Sequence, residues 1–403
     1  MQRERRQKVK TMEATTFRLG LEKAIADSSE LFGGKKVGLI CNQATVDRHF
    51  RHAADLFAAH ENINLTALFG PQHGIRGDVQ DNMVETAHIV DEQTKLPVYS
   101  LYSETREPTA EMLAELDTVV FDLQDVGCRV YTFIYTMANA MKACAAHNVE
   151  FIVLDRPNPI GGTSVEGNVL EIGHESFVGQ FPIPMRHGLT VGELAVLFNK
   201  EFGIGCDLKI VRMDGWNRDK YLDETDAPWV MPSPNMPTVD TATVFPATVY
   251  FEGTQISEGR GTTRPFEIVG APYVNGRAYK QALDRLELPG VIFREINFLP
   301  TFQKHAGSVC GGVFVHVSDR RIFKPVITGI AMVKTLYHLY PDDFEWKNTA
   351  YEYVFDRNPF DVIAGTSETR KQIEQNTSLE EIELSWDNGV KDFKKLSERY
   401  LLY

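Results

Sequence analysis

The strongest constraint on the fold is a series of short, continuous apolar runs in the first half of the chain, at residues 37–41, 65–69, 98–102, 119–123 and 151–154. Continuous rather than alternating runs are typical of strands buried on both faces of a parallel sheet. Stretches with helical character separate these runs, at residues 49–60, 109–116 and 135–147. This alternation of strand and helix predicts an α/β fold with a Rossmann-like, doubly wound and mostly parallel sheet.

The chain changes character at residues 231–237, which contain three prolines and fit neither a regular helix nor a central strand. We interpret this segment as the crossing between two domains. The prediction is a flexible tail at 1–15, a Rossmann-like N-terminal domain at 16–237, and a smaller C-terminal α/β domain at 238–403. The second domain is expected to end in a helix at 387–400.

The formal net charge of −13 disfavours nucleic acid and anionic membranes as partners, because both are bound mainly through Lys and Arg. No apolar run is long enough to predict a membrane-spanning helix. The charged N-terminus is not followed by the apolar stretch of a secretory signal. We therefore expect a cytoplasmic protein, with export left open if a signal was trimmed. The sequence leaves the oligomeric state open.

The cysteines and the common motifs narrow the chemistry. The five cysteines are widely spaced and form no C-x-x-C pair, which favours reduced, buried thiols over a zinc site. No G-x-G-x-x-G follows the first predicted strand, so a dinucleotide cofactor is not supported. The nucleophile elbow G-x-S-x-G is also absent, which weakens a serine hydrolase interpretation.

Polar loops follow the predicted strands, and such loops meet at one edge of a parallel sheet, where these folds bind ligands. The loop 70–77 carries Gln72, His73 and Arg76 after the second strand. A histidine in this position is structural as readily as catalytic. The residues of these separate loops are expected to lie close together in space.

The segment 122–132 offers acidic, amide and aromatic side chains that are suited to binding a sugar. Asp125 and Arg129 stand four residues apart, so a local ion pair explains them equally well if that turn is helical. Core packing is likewise an ordinary role for Tyr131. Both interpretations remain open.

The segment 251–267 is dense in charge, with three carboxylates, two guanidiniums and three glycines within seventeen residues. A solvated surface loop is one interpretation. A built ligand site is the other, because the glycines permit close backbone approach and the opposite charges can pair.

Together these blocks resemble a family of exo-β-N-acetylmuramidases that was formerly a domain of unknown function, over residues 20–403. The resemblance implies a Rossmann-like domain joined to a smaller C-terminal α/β domain, with the active site in the cleft between them. It implies release of N-acetylmuramic acid (MurNAc) from the non-reducing end of peptidoglycan chains, without a metal or organic cofactor. The blocks that carry it are 70–77, 122–132, 155–159, 187–193, 232–237 and 252–267.

The chain departs from the family at Gln72, where many members carry Glu and where an amide cannot exchange protons. Gln255 similarly stands where an Asn is common. We predict Glu85 and Glu166 as the catalytic carboxylate pair, which glycoside hydrolysis usually requires. The residues expected to bind substrate are Gln72, His73, Arg76, Gln124, Asp125, Arg129, Tyr131, Asp155, Asn158, His187, Asn235, Glu252, Glu258, Arg260, Thr263 and Arg264.

The lactyl carboxylate of MurNAc should be bound by arginine, for which Arg76, Arg129 and Arg264 are the candidates. Two alternative functions stay open. The first is a non-catalytic muropeptide-binding protein, which the amide of Gln72 suggests. The second is a glycosidase for another 2-acetamido sugar.

Overall fold

A computed structural model of the chain describes residues 17–77, 79 and 84–403, so the predicted tail at 1–15 lies outside the described residues. Within these ranges the first half of the chain forms a seven-stranded sheet with helices on both faces. The strands of the whole chain are β1 (Lys36–Ile40), β2 (Asn64–Gly70), β3 (Ile89–Val90), β4 (Pro97–Ser100), β5 (Thr118–Phe121), β6 (Glu150–Leu154), β7 (Glu166–Val169), β8 (Pro184–Arg186), β9 (Leu208–Val211), β10 (Ile268–Ala271), β11 (Val291–Phe298) and β12 (Cys310–Val317).

The strand order of the large sheet is β3-β4-β2-β1-β5-β6-β9. Its strands pair in parallel, except that the short edge strand β3 runs antiparallel to β4. The prediction of an α/β fold with a mostly parallel sheet is therefore confirmed. All five predicted strands form, whereas β3 and β9 were not predicted. Both lie at edges of the sheet, where half-exposed strands lack a continuous apolar run.

The α-helices of the described residues surround this sheet and build most of the second half. The C-terminal helix begins earlier than predicted, directly after Ser378 rather than at residue 387. The Ser378 hydroxyl accepts a hydrogen bond from the backbone N–H of Glu381, and the Glu381 carboxylate accepts one from the backbone N–H of Ser378, as in a capping box. The helices are α1 (Gly20–Ala26), α2 (Ser28–Phe32), α3 (Ala53–Ala58), α4 (Ala110–Leu113), α5 (Phe133–His147), α6 (Val191–Glu201), α7 (Val239–Thr248), α8 (Gly276–Asp284), α9 (Pro325–Leu339), α10 (Pro359–Ala364), α11 (Glu368–Glu374) and α12 (Leu379–Ser397).

The second half contains a three-stranded antiparallel sheet in the order β10-β12-β11. Helices α7 and α9 pack closely beside it, because Gly329 lets the helix backbones meet. A Cβ atom at Gly329 would lie 2.0 Å from the carbonyl oxygen of Ala247. The apolar core runs without a break from α5 to α7, α9 and β12, so the two halves of the molecule share buried side chains.

The order of the large sheet reverses between β1 and β5, and loops at such a switch point form the usual ligand crevice. The proline-rich segment 231–237 crosses this edge. Asn42, directly after β1, donates from Nδ2 to the carbonyl oxygen of Pro232 at 2.9 Å. The polar loops also contact each other, since Thr132 donates to Gln72 and Gln124 donates to Pro157, so they converge at one edge as expected. No helix among the described residues is both long and apolar enough to cross a bilayer.

Arg129 ties the two halves together. Its fully buried guanidinium donates to the carbonyl oxygens of Asn168 (2.7 Å) and Ile183 (3.1 Å) in the first half. It also donates to Ile363 (3.2 Å) and Ala364 (2.6 Å) at the C-terminal end of α10. Burying this cation is costly, and the four carbonyl dipoles offset that cost.

Replacing Arg129 with Met should lower the free energy of unfolding by at least about 3 kcal/mol, because four buried carbonyl groups lose a charged donor at once. The measurement is urea unfolding followed by circular dichroism. Arg399→Met is the matched control, since Arg399 pairs with Glu201 on the surface and such pairs contribute little. Equal effects of the two substitutions would contradict the structural role of Arg129.

Candidate active site

A cavity lies at the carboxyl-terminal edge of the large sheet and between the two halves. Residues of the first half and of the second half face each other across it. Its polar and aromatic lining includes Gln72, His73, Tyr131, Thr132, Ser233, Asn235, Glu252, Arg260, Tyr351 and Glu352.

The loop after β2 delivers Gln72 and His73 to this cavity through a tight turn. His73 and Gly74 both have left-handed backbones, with φ values of 72° and 78°. The imidazole Nδ1 of His73 donates to the carbonyl oxygen of Val79 at 2.7 Å, which orients the ring. The strained backbone at His73 is therefore held by a side-chain contact, as is common at functional sites.

A buried cluster of charges forms the floor of the cavity from the segment 251–267. Arg260 donates to Oε1 of Glu252 at 2.5 Å, and its Nε lies 3.2 Å from Oε1 of Glu258. Lys304 donates to Oε2 of Glu258 at 2.7 Å. These residues are almost fully buried, so the interpretation as a solvated surface loop is wrong for this part of the segment.

The charges in this cluster compensate each other. Burial alone opposes ionisation of Glu258, but Lys304 and Arg260 outweigh it and hold the pKa of that carboxyl below its usual value. Of the two glutamates that Arg260 contacts, only Glu252 lines the cavity. Tyr351 donates its hydroxyl to Oε2 of Glu252 at 2.5 Å, which fixes this second oxygen.

Glu352 is the second carboxyl group that lines the cavity, and sequence reasoning missed it. It stands in a two-residue turn between Tyr351 and Val354, whose backbone groups pair at 3.2 Å and 2.9 Å. Glu352 and Tyr353 both have left-handed backbones, with φ values of 44° and 65°. Tight hairpins of this kind usually hold Asn and Gly, so a Glu-Tyr pair carries no recognisable turn signal.

The Glu352 carboxyl contacts the first half of the molecule. Its Oε1 accepts from the Gln72 amide at 3.2 Å, and its Oε2 accepts from the Tyr102 hydroxyl at 2.8 Å. Burial raises the pKa of Glu352, while the two hydrogen bonds act in the opposite direction. The cavity therefore contains one carboxyl in a cation-paired cluster, that of Glu252, and one without a directly paired cation.

Glu85, predicted as catalytic, lies outside this cavity. Its side chain is half exposed, and Oε1 is 3.7 Å from a guanidinium nitrogen of Arg106. Arg106 in turn packs on the rings of Tyr102 and Tyr353, with its Cζ at 4.0 Å and 4.8 Å from the ring centroids. Arg106 thus links Glu85 to the cavity wall.

Glu166, the other predicted catalytic residue, begins β7 and does not line the cavity. Its Oε1 accepts the backbone N–H of Ile327 at 2.9 Å, in the first turn of α9. Burial raises the pKa of Glu166 to about 7. The structure therefore does not bring Glu85 and Glu166 together, and Glu166 contacts the N-terminal end of a helix.

Asp125 and His187 form a buried pair behind the cavity. His187 Nδ1 accepts from the backbone N–H of Leu189, so its Nε2 carries the proton and lies 3.3 Å from Asp125 Oδ2. The same carboxylate oxygen accepts from Gly127 at 2.7 Å. The predicted helical ion pair between Asp125 and Arg129 does not form, because Arg129 binds carbonyl groups instead.

Three further predicted residues form hydrogen bonds within the first half of the molecule rather than facing the cavity. Gln124 donates to the carbonyl oxygens of Asp125 and Pro157, and Asn158 donates to that of Leu189. Asp155 lies deeper in the first half, where it accepts from the hydroxyls of Thr190 and Tyr403 and from the backbone of Gly192. None of these three lines the described part of the cavity.

The arginines expected to bind the lactyl carboxylate do not line the cavity. Arg76 pairs with Asp91, and the half-exposed Arg264 pairs with Glu267 at 3.4 Å, next to the exposed Thr263. Arg129 is fully buried between the two halves. Of the predicted substrate-binding residues, the structure brings together Gln72, His73, Tyr131, Asn235, Glu252 and Arg260, with Glu258 directly behind them.

Family models and known proteins match nearly the whole chain. The model of the N-terminal part of exo-β-N-acetylmuramidase NamZ matches residues 37–240, and that of its C-terminal part matches residues 243–403. The peptidoglycan β-N-acetylmuramidase NamZ of Bacillus subtilis (strain 168) is 47% identical over 396 residues, which cover 98% of this chain and 94% of that protein.

Two solved structures of DUF1343 family proteins from Bacteroides fragilis share the fold. One has a TM-score of 0.86 and 39% identity, and the other has a TM-score of 0.74 and 28% identity. Each comparison covers 96% of this chain and 99% of the other chain.

Glu166→Gln should make folding stability less dependent on pH. The carboxyl has a folded-state pKa above its ordinary value of 4.5, so its contribution is complete below 4.5 and is lost as the pH rises through about 7. Glutamine keeps the acceptor for Ile327 but cannot ionise. Urea unfolding should show that the variant gains stability relative to the wild type as the pH rises from 4.5 to about 7. A constant difference would contradict the burial of a titrating carboxyl.

Proposed function

Because the chain belongs to the family of exo-β-N-acetylmuramidases represented by NamZ, we propose that it is a glycoside hydrolase that releases MurNAc from the non-reducing end of peptidoglycan fragments. The observation that carries this proposal is a cavity that holds two carboxyl groups between the two halves, Glu252 and Glu352. It supports the proposal because glycoside hydrolysis usually uses two such groups on opposite sides of the scissile bond.

Glu352 is the proposed proton donor to the glycosidic oxygen. A general acid must stay protonated near the working pH, and burial favours the protonated form of this carboxyl. Glu352 is buried and at the same time lines the cavity. The exposed Glu85 and the helix-bound Glu166 lack this combination, so we assign them no proton transfer.

Glu252 is the proposed second carboxylate. Arg260 and Tyr351 hold its two oxygens, so the carboxyl group is fixed in place before substrate arrives. In that position it would stabilise the positive charge that develops on the sugar ring, or accept a proton from the attacking water. Such preorganisation avoids reorientation during the reaction.

Aromatic and amide groups would bind the sugar itself. Tyr131 presents a ring to the cavity, and Asn235 presents an amide from the segment that crosses between the halves. Sugars are commonly held by a combination of an aromatic face and planar polar groups. Arg260 also lines the cavity, where it already forms ion pairs with Glu252 and Glu258.

Glu352→Gln should lower kcat for release of MurNAc from MurNAc-GlcNAc by about a hundred- to ten-thousand-fold, because a positioned general acid contributes that much. The shape of the side chain is kept, so the circular dichroism spectrum should not change. The measurement is a coupled assay of free MurNAc.

Glu85→Gln and Glu166→Gln are the matched controls for that substitution, since each removes one carboxylate outside the cavity. Both should retain wild-type turnover. Loss of turnover in either control, together with normal turnover of Glu352→Gln, would refute the assignment. Tight binding of MurNAc-GlcNAc without any release by the wild type would instead favour a muropeptide-binding protein.

The pH dependence of kcat/KM provides a separate prediction. Because burial raises the pKa of Glu352, the protonated acid persists to a higher pH than an exposed glutamate, whose pKa is 4.5. Activity should therefore fall at a pH above that ordinary value, and the fall should vanish from the residual activity of Glu352→Gln. A decline centred at the ordinary value would contradict the role of a buried acid.

A further inference from the structure

A chain of hydrogen bonds crosses the cavity and ends on Glu352. The Thr132 hydroxyl donates to Oε1 of Gln72 at 2.7 Å, and Nε2 of Gln72 donates to Oε1 of Glu352 at 3.2 Å. Tyr102 donates to the other carboxyl oxygen at 2.8 Å. All four side chains are at least nine-tenths buried, so each contact is made in an environment that excludes most water.

We propose that Gln72 is a positioning residue: its amide, oriented by Thr132, fixes the carboxyl group of Glu352 and sets the pH at which that group exchanges its proton. This inference rests on the proposed role of Glu352 in the reaction. It assigns to Gln72 a function that does not require Gln72 itself to carry a proton.

The orientation of the amide follows from the donors and acceptors available. A carboxylate can only accept, so its contact with Gln72 identifies that end of the amide as the NH₂ group. The Thr132 hydroxyl then donates to the amide oxygen. The NH₂ donor beside Glu352 stabilises the carboxylate over the acid, as does the Tyr102 hydroxyl on the other oxygen.

The hairpin makes these two hydrogen bonds necessary. Left-handed backbones, as at Glu352 and Tyr353, are disfavoured for non-glycine residues. Contacts elsewhere must therefore hold the turn in place. Gln72 and Tyr102 hold the carboxyl, and Arg106 packs on Tyr353 from the side of the first half.

Other charged and titratable groups also surround Glu352. Glu252 lies on the same cavity and raises the pKa of Glu352, whereas Arg106 lowers it. The rest of the cavity contributes Tyr351, Arg260 and His73. Every one of these groups is present in both the wild type and a Gln72 variant. A difference in the Glu352 titration between the two proteins therefore reports on the side chain at position 72.

Two substitutions of Gln72 test the proposal in opposite chemical ways. Gln72→Leu removes the donor, and Gln72→Glu places a second carboxyl at hydrogen-bond distance from the first. Two carboxyls so close cannot both ionise readily, so they share a proton. Both substitutions should therefore increase the proton affinity of Glu352, with the larger effect from Gln72→Glu.

The experiment is a pH titration of protein labelled with ¹³C at the glutamate carboxyl carbon and followed by NMR, in which the Glu352 signal is identified by its loss in Glu352→Gln. The proton affinity should rise by about three- to tenfold in Gln72→Leu and by more than about tenfold in Gln72→Glu. Gln281→Glu, on the exposed face of α8, is the matched control and should leave the titration unchanged.

An unchanged titration of Glu352 in Gln72→Leu would overturn the proposal. If that variant does not fold, Thr132→Val decides the question, because loss of the Thr132 donor frees the amide and should shift the titration in the same direction. The pH at which the rate of MurNAc release falls should shift in the same direction as the NMR titration. The NMR measurement requires no turnover. A wild-type protein without activity would therefore refute the proposed function, whereas the titration would still test the role of Gln72.

Discussion

The contact between Glu352 and the first half of the molecule is the interaction on which the cavity depends. Glu352 belongs to a hairpin of the second half, and its partners Gln72 and Tyr102 belong to loops at the edge of the large sheet. Without it the carboxyl would remain on a strained turn that faces solvent. The cavity is therefore a joint product of both halves, although both of its carboxyl groups, Glu252 and Glu352, belong to the second half.

The two carboxyl groups of the cavity differ in the partners that compensate their burial. Around Glu252, two cations and two carboxylates form a closed network, in which each charge has an opposite partner. Around Glu352, neutral donors replace cations, so burial is compensated only in part. This contrast in environment separates the properties of two otherwise identical side chains, and such separation is how one site holds both an acid and a base.

Much of the fold could be predicted from the sequence because buried parallel strands leave continuous apolar runs. The convergence of the loop 70–77 with the segment 122–132 followed from the rule that parallel strands open at one edge. Glu352 could not be found in this way, since its hairpin has bulky residues where Asn and Gly are usual. The role of Arg129 was also predicted wrongly: a charged residue in a loop at the ligand edge resembles a ligand contact, yet the partners of Arg129 include carbonyl groups distant in sequence.

Gln72 shows how a departure from a family pattern can be misread without a structure. An amide in place of a carboxyl suggested a loss of catalysis, but the cavity retains two other carboxyls, one of them in direct contact with that amide.

The most direct test of this arrangement is a crystal structure of Glu352→Gln with MurNAc-GlcNAc bound. We predict that the glycosidic oxygen lies within hydrogen-bond distance of the side chain at position 352, with the MurNAc ring beside Glu252. A disaccharide bound instead beside Glu85, with position 352 out of contact, would contradict this assignment.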